Sequence, residues 1–257
     1  MTPAEPHVFL DGAALSLYLF FAFFAGLIYY LRTEDKREGY PLVSDRETVP
    51  RPPVHGFPGV PKPKVFLLPH AHGGPIVKRV ERDISAFAVP SDPFPGAPLI
   101  PTVDPMKAGI GAASWCDRTN LPDMTWDDNS PKVVPLRVEP LWDIFEGDPE
   151  IRGRPAVGCD GKVAGVVVDL WVDKSEVLFR YVEIETTDGR HTLVPIAMTS
   201  WSGDGPVRVE HATARQIMEG PVLTRPDQVT LKEEDIMSAY YGGGQLHATP
   251  DRSEPLI

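Results

Sequence analysis

Nineteen consecutive residues near the N-terminus, AALSLYLFFAFFAGLIYYL at 13–31, carry no charged side chain, and they constrain the fold more than any other feature. At about 1.5 Å of rise per residue, a helix of this length just spans a hydrocarbon core of about 30 Å. Tyr18, Tyr29 and Tyr30 lie toward its ends, where amphipathic rings prefer the headgroup level. The run therefore predicts a single transmembrane helix over residues 12–32.

A cleaved signal peptide is the alternative interpretation of this run, and it fits poorly. No Lys or Arg precedes the apolar residues, and they end in Tyr-Tyr-Leu-Arg rather than in small side chains. Basic residues follow the run closely, at Arg32, Lys36, Arg37, Arg46 and Arg51. By the positive-inside rule, residues 1–11 lie outside the membrane and everything after Arg32 lies in the cytoplasm.

The charge and the cysteines narrow the class of protein. A net charge of −11 over 257 residues argues against a general nucleic-acid binder, which would carry a basic stripe. Cys116 and Cys159 are far apart and form no CxxC motif. Two free thiols in a reducing compartment are the expectation.

The segment 33–110 is rich in proline, since about half of the 29 prolines fall between residues 41 and 105. Its charged start, 32–40, is expected to extend the helix past the membrane and to stop at Gly39. Short strands are predicted at Lys64–Leu68 and Ile76–Val80. Such a segment is unlike a domain that folds alone, and it is expected to wrap over a partner surface.

His70 and His72 lie in the same segment at a spacing that puts both on one face of a strand. That spacing can serve a metal ion, but no third ligand is evident, which favours an ordinary loop.

Short alternating runs over residues 111–245 predict a small antiparallel β-barrel or sandwich, followed by a tail at 246–257. The predicted strands are Val157–Asp160, Lys162–Val172, Phe179–Thr186, Thr192–Ile196 and Val207–His211. A short helix is predicted at Thr213–Glu219. A second, capped by Thr230 with Glu233 three residues on, is predicted to end where Gly242-Gly243-Gly244 begins.

The stretch DLWVDKSE, 169–176, places acids in a strand that otherwise reads as buried. Strand parity puts Val166, Val168, Leu170 and Val172 on one face and Val167, Asp169, Trp171 and Asp173 on the other. Either the acidic face meets water, or it forms a carboxylate cluster suited to proton relay or acid–base work. The sequence contains no GxSxG, HExxH or dinucleotide-binding motif.

Five stretches together resemble the H subunit of the purple-bacterial photosynthetic reaction centre. They are LRTEDKREGYPL (31–42), GAPLIPT (96–102), DLWVDKSE (169–176), VTLKEED (229–235) and SAYYGGG (238–244). The resemblance extends over nearly the whole chain and is loosest around 43–63. It implies one transmembrane helix, with a periplasmic N-terminus, and a mainly-β cytoplasmic domain built around a PRC-type barrel.

The resemblance also implies partners and a non-enzymatic role. The partners are the L and M subunits, which hold bacteriochlorophyll, bacteriopheophytin, quinones and non-haem iron, whereas the H subunit supplies few or no cofactor ligands. An antenna, a cytochrome subunit and membrane lipid are further expected contacts in the bacterial inner, or chromatophore, membrane. The chain would cap the cytoplasmic face of L and M and conduct protons to the secondary quinone.

Particular residues inherit roles from this resemblance. Acids matching Asp173 and Glu176 lie on the proton route, and the base matching Arg180 lies beside them and tunes their pKa values. Asp123 and Lys132 match polar positions nearer the proton entrance. Asp169 matches no such position and is expected to be structural.

The proton entrance departs from the family pattern. Some members carry a His-x-His pair there, whereas this chain has TWDDNSPK at 125–132, so that Asp127 and Asp128 are the expected proton collectors. Lys36 and Arg37 are expected to meet anionic lipid headgroups.

Two other classes of protein compete with this interpretation. One is a membrane-tethered PRC-barrel adaptor that binds another protein, which the acidity favours over RNA. The other is a membrane-anchored hydrolase that uses Asp169 and Asp173, although no nucleophile or metal set accompanies them.

Overall fold

The computed structural model describes residues 11–40, 56–66, 86–94 and 97–253. The chain divides into two compact units, an N-terminal unit, Met1–Val65, and a C-terminal unit, Phe66–Ile257. The predicted strand Ile76–Val80, the pair His70 and His72, and most of residues 1–11 lie outside the described residues. Of the predicted strand Lys64–Leu68, only Phe66 forms a β-bridge within the described part.

The N-terminal unit contains helix α1, Gly12–Arg37. Asp11 caps it, because its side chain accepts a hydrogen bond from the Ala13 amide at 3.2 Å. None of its residues is buried within the chain, and it is long and apolar enough to cross a membrane. The predicted charged extension is confirmed, since the helix continues to Arg37 and Gly39 follows in the left-handed region with φ 95°.

The C-terminal unit opens with a small hairpin inside the proline-rich segment. Strand β1, Ala88–Pro90, pairs antiparallel with β2, Leu99–Pro101, and one short helix, α2, follows at Pro105–Ala108. Ala88 and Ile110 form a small apolar cluster of their own.

Seven further strands form the main sheet. They are β3 (Val133–Pro135), β4 (Pro155–Gly158), β5 (Val163–Asp173), β6 (Leu178–Thr186), β7 (His191–Pro195), β8 (Thr199–Ser200) and β9 (Val207–Val209). The order is β7-β6-β5-β4-β9-β8, and β3 pairs with β5 off this path. The pairs are antiparallel except β4 with β9, which is parallel. Strand β7 passes through the turn Ile196–Met198 directly into β8, so the chain itself links the two edges. The predicted strands are confirmed, with ends shifted by one or two residues.

Two helices follow the sheet, α3 at Ala214–Met218 and α4 at Leu231–His247. The predicted capping box of α4 is confirmed: Thr230 Oγ1 accepts from the Glu233 amide at 3.2 Å, and the Glu233 carboxylate accepts from the Thr230 amide at 2.9 Å. The predicted end of this helix at Gly242 is wrong, because the helix continues through all three glycines.

Close packing explains why those glycines lie inside the helix. A Cβ on Gly243 would lie 2.5 Å from the Ala113 Cβ, and one on Gly244 would lie 1.6 Å from the His211 carbonyl oxygen. Glycine costs about 1 kcal/mol in a helix relative to alanine, but here it allows the helix backbone to approach its neighbours.

Both faces of the central strands are covered. The barrel interior contains Val167, Leu170, Val172, Val182, Ile184 and Val194 among others. On the outer face, Trp171, Tyr181 and Leu193 pack with Met237 of α4. Of the two alternatives for the acidic face, the one in which Asp169 and Asp173 meet water is therefore wrong, because both residues are buried.

The predicted assignment of β5 side chains to the two faces of the sheet is also wrong for the residues that precede Asp169. The pairing with β6 shifts between Val167 and Asp169, so Val168 is an extra residue that forms a β-bulge. As a result, Val167 lies in the barrel interior with Leu170 and Val172 instead of sharing a face with Asp169.

Gly244→Ala is expected to destabilise the protein by about 1–3 kcal/mol, the usual cost of overpacking, because of the close approach to His211. Gly242→Ala is the matched control, since its Cβ meets only the Met198 Cε, at 3.8 Å. Thermal unfolding of the full-length chain, followed by circular dichroism, checks both. Equal melting temperatures for the two variants would contradict the packing role of Gly244.

Candidate functional site

Asp173 is the last residue of β5 and is completely buried, with 0% of its surface exposed. Its Oδ1 accepts hydrogen bonds from the amides of Ser175 at 2.9 Å and Glu176 at 3.0 Å, which closes the turn into β6. Its Oδ2 faces the Arg180 Nε at 3.0 Å and the Lys132 Nζ at 3.4 Å. The buried carboxylate thus has two amide donors and two cations.

A β-bulge positions Arg180. The pairing of β5 with β6 shifts a second time, so Trp171 opposes Tyr181 and Val172 opposes Phe179, leaving Arg180 as the extra residue. From there its Nη2 also reaches Glu176 Oε1 at 3.2 Å. Bulges of this kind redirect a side chain that regular pairing would place elsewhere.

Lys132 completes the group from the strand on the other side of β5. It immediately precedes β3, and its Nζ lies 3.8 Å from Asp123, 3.4 Å from Asp173 and 3.7 Å from Glu176. The structure thus brings together all five predicted relay residues, Asp123, Lys132, Asp173, Glu176 and Arg180, which we call the acid–base cluster.

The cluster runs from the surface to the interior. The Glu176 side chain is 51% exposed, whereas that of Asp173 is fully buried. Burial raises the pKa of Asp173, but the Glu176 amide, Arg180 and Lys132 outweigh it and hold that pKa below its usual value. Asp173 is therefore a fixed anion that holds two cations in place.

Sequence reasoning missed Glu234, which lies beside this cluster. Glu234 and members of the acid–base cluster line one cavity of about 280 Å³. The residues that line it include Asp123, Lys132, Arg180, Tyr181, Glu234 and Ser238. Glu234 Oε1 accepts a hydrogen bond from the Tyr181 hydroxyl at 3.0 Å. Burial raises the pKa of Glu234 despite that hydrogen bond. Glu234 lies within the stretch VTLKEED that carries the family resemblance, but nothing in the residues around it indicates its burial against Tyr181.

The two acids expected to collect protons have different surroundings. Asp127 is exposed. Asp128 accepts hydrogen bonds from the Thr125 hydroxyl and from the Ser130 amide and hydroxyl, at 3.0 and 2.8 Å for Ser130. Those hydrogen bonds, with Thr125 contributing most, lower the pKa of Asp128 to about 2. Asp128 is therefore held as a carboxylate that organises its own loop.

Lys36 and Arg37 bind backbone within the N-terminal unit. Lys36 Nζ donates to the Gly56 carbonyl at 2.8 Å and also to the Pro58 carbonyl. Arg37 donates to the Lys62 carbonyl and to Glu34, the latter at 3.2 Å.

Asp169 belongs to a second buried network rather than to the acid–base cluster. Arg137 Nη1 lies 3.0 Å from Asp169 and 2.6 Å from Glu183. Glu183 also accepts from the Trp171 indole at 2.8 Å and contacts His191 Nδ1 at 2.8 Å. Asp169 and Asp173 therefore have different cationic partners, which gives no support to a hydrolase using the two as a pair.

A groove of about 1010 Å³ lies beside this second network and is larger than the cavity at the acid–base cluster. Its walls include Leu136, Trp142 and Val222, with Arg137 and Glu183 among the polar groups. In this groove the Glu183 carboxylate is paired with Arg137 Nη1 and with His191 Nδ1.

No three His, Cys, Asp or Glu side chains within the described ranges come together in a way that could hold a metal ion. Cys116 and Cys159, both within those ranges, are free and half-buried, and burial raises the pKa of Cys159.

Comparison with known families agrees with this architecture. Residues 143–211, which contain β4 to β9, match the PRC-barrel domain family. The C-terminal unit thus contains a PRC-barrel domain.

Residues 7–138 match the family described as photosynthetic reaction centre, H-chain N-terminal region. Because this match covers more than half of the 257 residues, the chain belongs to the reaction-centre H-chain family. It is therefore a reaction-centre subunit of the membrane, and the resemblance seen in the sequence is confirmed.

Arg137→Met is expected to cost about 2–3 kcal/mol, less than the ~3–5 kcal/mol of a fully buried pair, because the buried Asp169 and Glu183 lose their cation whereas Arg137 itself is 37% exposed and screened by solvent. Arg152→Met is the control, since its partners Asp143 and Glu150 are exposed and surface pairs contribute about 1 kcal/mol or less. Denaturant unfolding followed by tryptophan fluorescence compares the two. Equally small losses would mean that the buried network contributes little.

Glu234→Gln is expected to raise the melting temperature at neutral pH. The pKa of Glu234 is raised by folding, so its contribution to stability is complete below about pH 4.5 and is lost as the pH rises through the folded-state pKa. Glutamine removes that loss and can still accept from Tyr181. Melting curves from pH 4 to 8 test this, with the exposed Glu185→Gln as control. A benefit that persisted at pH 4 would contradict this titration.

Proposed function

We propose that this subunit caps the cytoplasmic face of the reaction centre's L and M subunits and conducts protons to the secondary quinone. The observation that carries the proposal is the acid–base cluster, in which a half-exposed acid, Glu176, and a fully buried one, Asp173, share the cations Lys132 and Arg180.

The chemistry of a quinone requires such a group. Reduction of a quinone to a quinol takes up two protons as well as two electrons, and a site shielded from water needs titratable side chains to deliver them. Glu176 lies at the surface end of the cluster, and Glu234 has a raised pKa at the adjacent cavity. Acids whose pKa lies closer to neutrality exchange protons more readily at physiological pH. Asp173, whose pKa is lowered, supplies the fixed negative charge between them.

The surface around Glu176 supports coverage by a partner. Val177 and Leu178 follow Glu176 directly and are both exposed. Val177 also has φ 56°, a conformation that is unfavourable for a β-branched residue. Apolar groups at the rim of a charged cluster favour an interface over open solvent.

The remaining contacts are also part of the proposal. The N-terminus lies in the periplasm and the domain in the cytoplasm of the bacterial inner membrane, as the basic flank of α1 favours. The pigments, quinones and iron are held by L and M. Antenna and cytochrome subunits and anionic lipid, near Lys36 and Arg37, are further neighbours, and residues 33–110 wrap over partner surface as far as the barrel domain at 111–245.

The double variant Asp173→Asn with Glu176→Gln is expected to slow the proton-coupled second electron transfer to the secondary quinone by about 10²-fold or more, because positioned proton-transfer groups typically contribute about 10²–10⁴-fold. Flash-induced absorption kinetics on the purified complex measure this rate. The first electron transfer, which needs no proton, should change little.

Asp143→Asn serves as the control, because this acid is exposed and pairs with Arg152 away from the cluster. Each variant must first show the near-infrared pigment absorption of the assembled complex. Unchanged second-transfer kinetics in an assembled double variant would remove the relay and leave the structural role. A colourless chain purified alone in mild detergent would instead favour the tethered adaptor.

A further inference from the structure

A short segment, residues 56–65, folds back onto the C-terminal end of α1 within the N-terminal unit. Lys36 of the last helical turn donates to the carbonyls of Gly56 and Pro58. Arg37 donates to the Lys62 carbonyl, and Lys64 forms an ion pair with Glu34 at 2.6 Å. Both ends of the segment are thus fixed to one end of the helix.

An aromatic contact places the tip of this segment at the level of the apolar helix. The ring of Phe57 lies 5.6 Å from that of Tyr29, centroid to centroid. Tyr29 belongs to the uncharged run that ends at Leu31. Helical side chains lean toward the helix N-terminus, so the Tyr29 ring lies further into the membrane than its own Cα. Phe57 therefore sits at or inside the boundary between headgroups and acyl chains.

The outward side of the segment is apolar. The exposed fractions are 89% for Phe57 and 60% for Val60. Such side chains are costly in water and favourable in the membrane interface, where aromatic residues are enriched.

Several backbone carbonyls of the segment already have hydrogen-bond partners, as a position in the membrane interface requires. Non-helical backbone close to lipid is tolerated only when its polar groups have partners. Here the carbonyls of Gly56, Pro58 and Lys62 are bound by the Lys36 and Arg37 side chains. These two cations lie about two helical turns beyond Tyr29, on the side where long basic side chains keep their charged ends toward water.

We propose that residues 56–65, as the part of the segment 33–110 that faces lipid while the remainder covers partner surface, form a second membrane anchor, a lipid-inserted loop in which Phe57 and Val60 enter the headgroup–acyl boundary. The ligand is the lipid interface itself. The contact with Tyr29 places the loop at the depth of that interface, and the carbonyl groups of the loop already have the hydrogen-bond partners that lipid cannot supply. Lys36 and Arg37 hold this loop to the helix in addition to any headgroup contact. The anchor follows from the membrane location of the family and does not depend on proton relay.

Tryptophan quenching in the assembled complex tests the loop. Phe57→Trp and Val60→Trp, each in the full-length chain, are reconstituted in phosphatidylcholine–phosphatidylglycerol vesicles, and Lys62→Trp is the matched control on an exposed side chain. The signal of the parent complex, in which this chain alone contributes five tryptophans, is subtracted. The fluorescence added at 57 and 60 is expected to be blue-shifted, quenched several-fold more by lipid brominated near the headgroup than that at 62, and shielded from iodide.

Two results would overturn the anchor. Quenching by iodide at positions 57 and 60 equal to that at 62 would place the loop in water. Protection from both iodide and brominated lipid would place it against a protein partner. The Phe57→Trp substitution could disturb the contact with Tyr29, but Val60→Trp leaves that contact intact. If both variants give the same overturning result, loss of the contact is therefore not its cause.

Discussion

A carboxylate that is cut off from water must have its charge balanced locally, and this requirement at Asp173 organises the C-terminal unit. Two turn amides, a bulged arginine from β6 and a lysine from the start of β3 all converge on it. Three chain segments are therefore tied together at one end of β5. The same contacts that stabilise the fold also set the electrostatics of the cluster.

Helix α4 makes that arrangement necessary. By packing Met237 over Trp171, Tyr181 and Leu193, it covers the face of the sheet that would otherwise be open to water. Polar residues on this face must then find partners inside the protein. Asp173 and the Arg137 network are two independent solutions to the same problem. The first extends to the half-exposed acid Glu176 and the second to the half-exposed acid Asp227.

Features set by neighbouring residues could be predicted from the sequence. The uncharged run at 13–31 predicts α1, and the spacing of Thr230 and Glu233 predicts where α4 begins. Features set by distant contacts could not. The glycines at 242–244 look like a helix stop until Ala113 and His211 are seen against them. The raised pKa of Glu234 depends on α4 covering β6, which no local pattern reveals. The five cluster residues came from family resemblance, not from spacing.

The bulge at Val168 has a consequence for how such a chain can diverge. The bulge accommodates one residue, Val168, that has no partner on β6. Loss of that codon would leave Val167 opposite Ile184 and Asp169 opposite Glu183 in regular pairing, so the later side chains would keep their faces. Loss of a codon from the regularly paired part, such as that of Leu170, would instead exchange the two faces on one side of the deletion. The strand can therefore change in length at the bulge, and elsewhere only in composition.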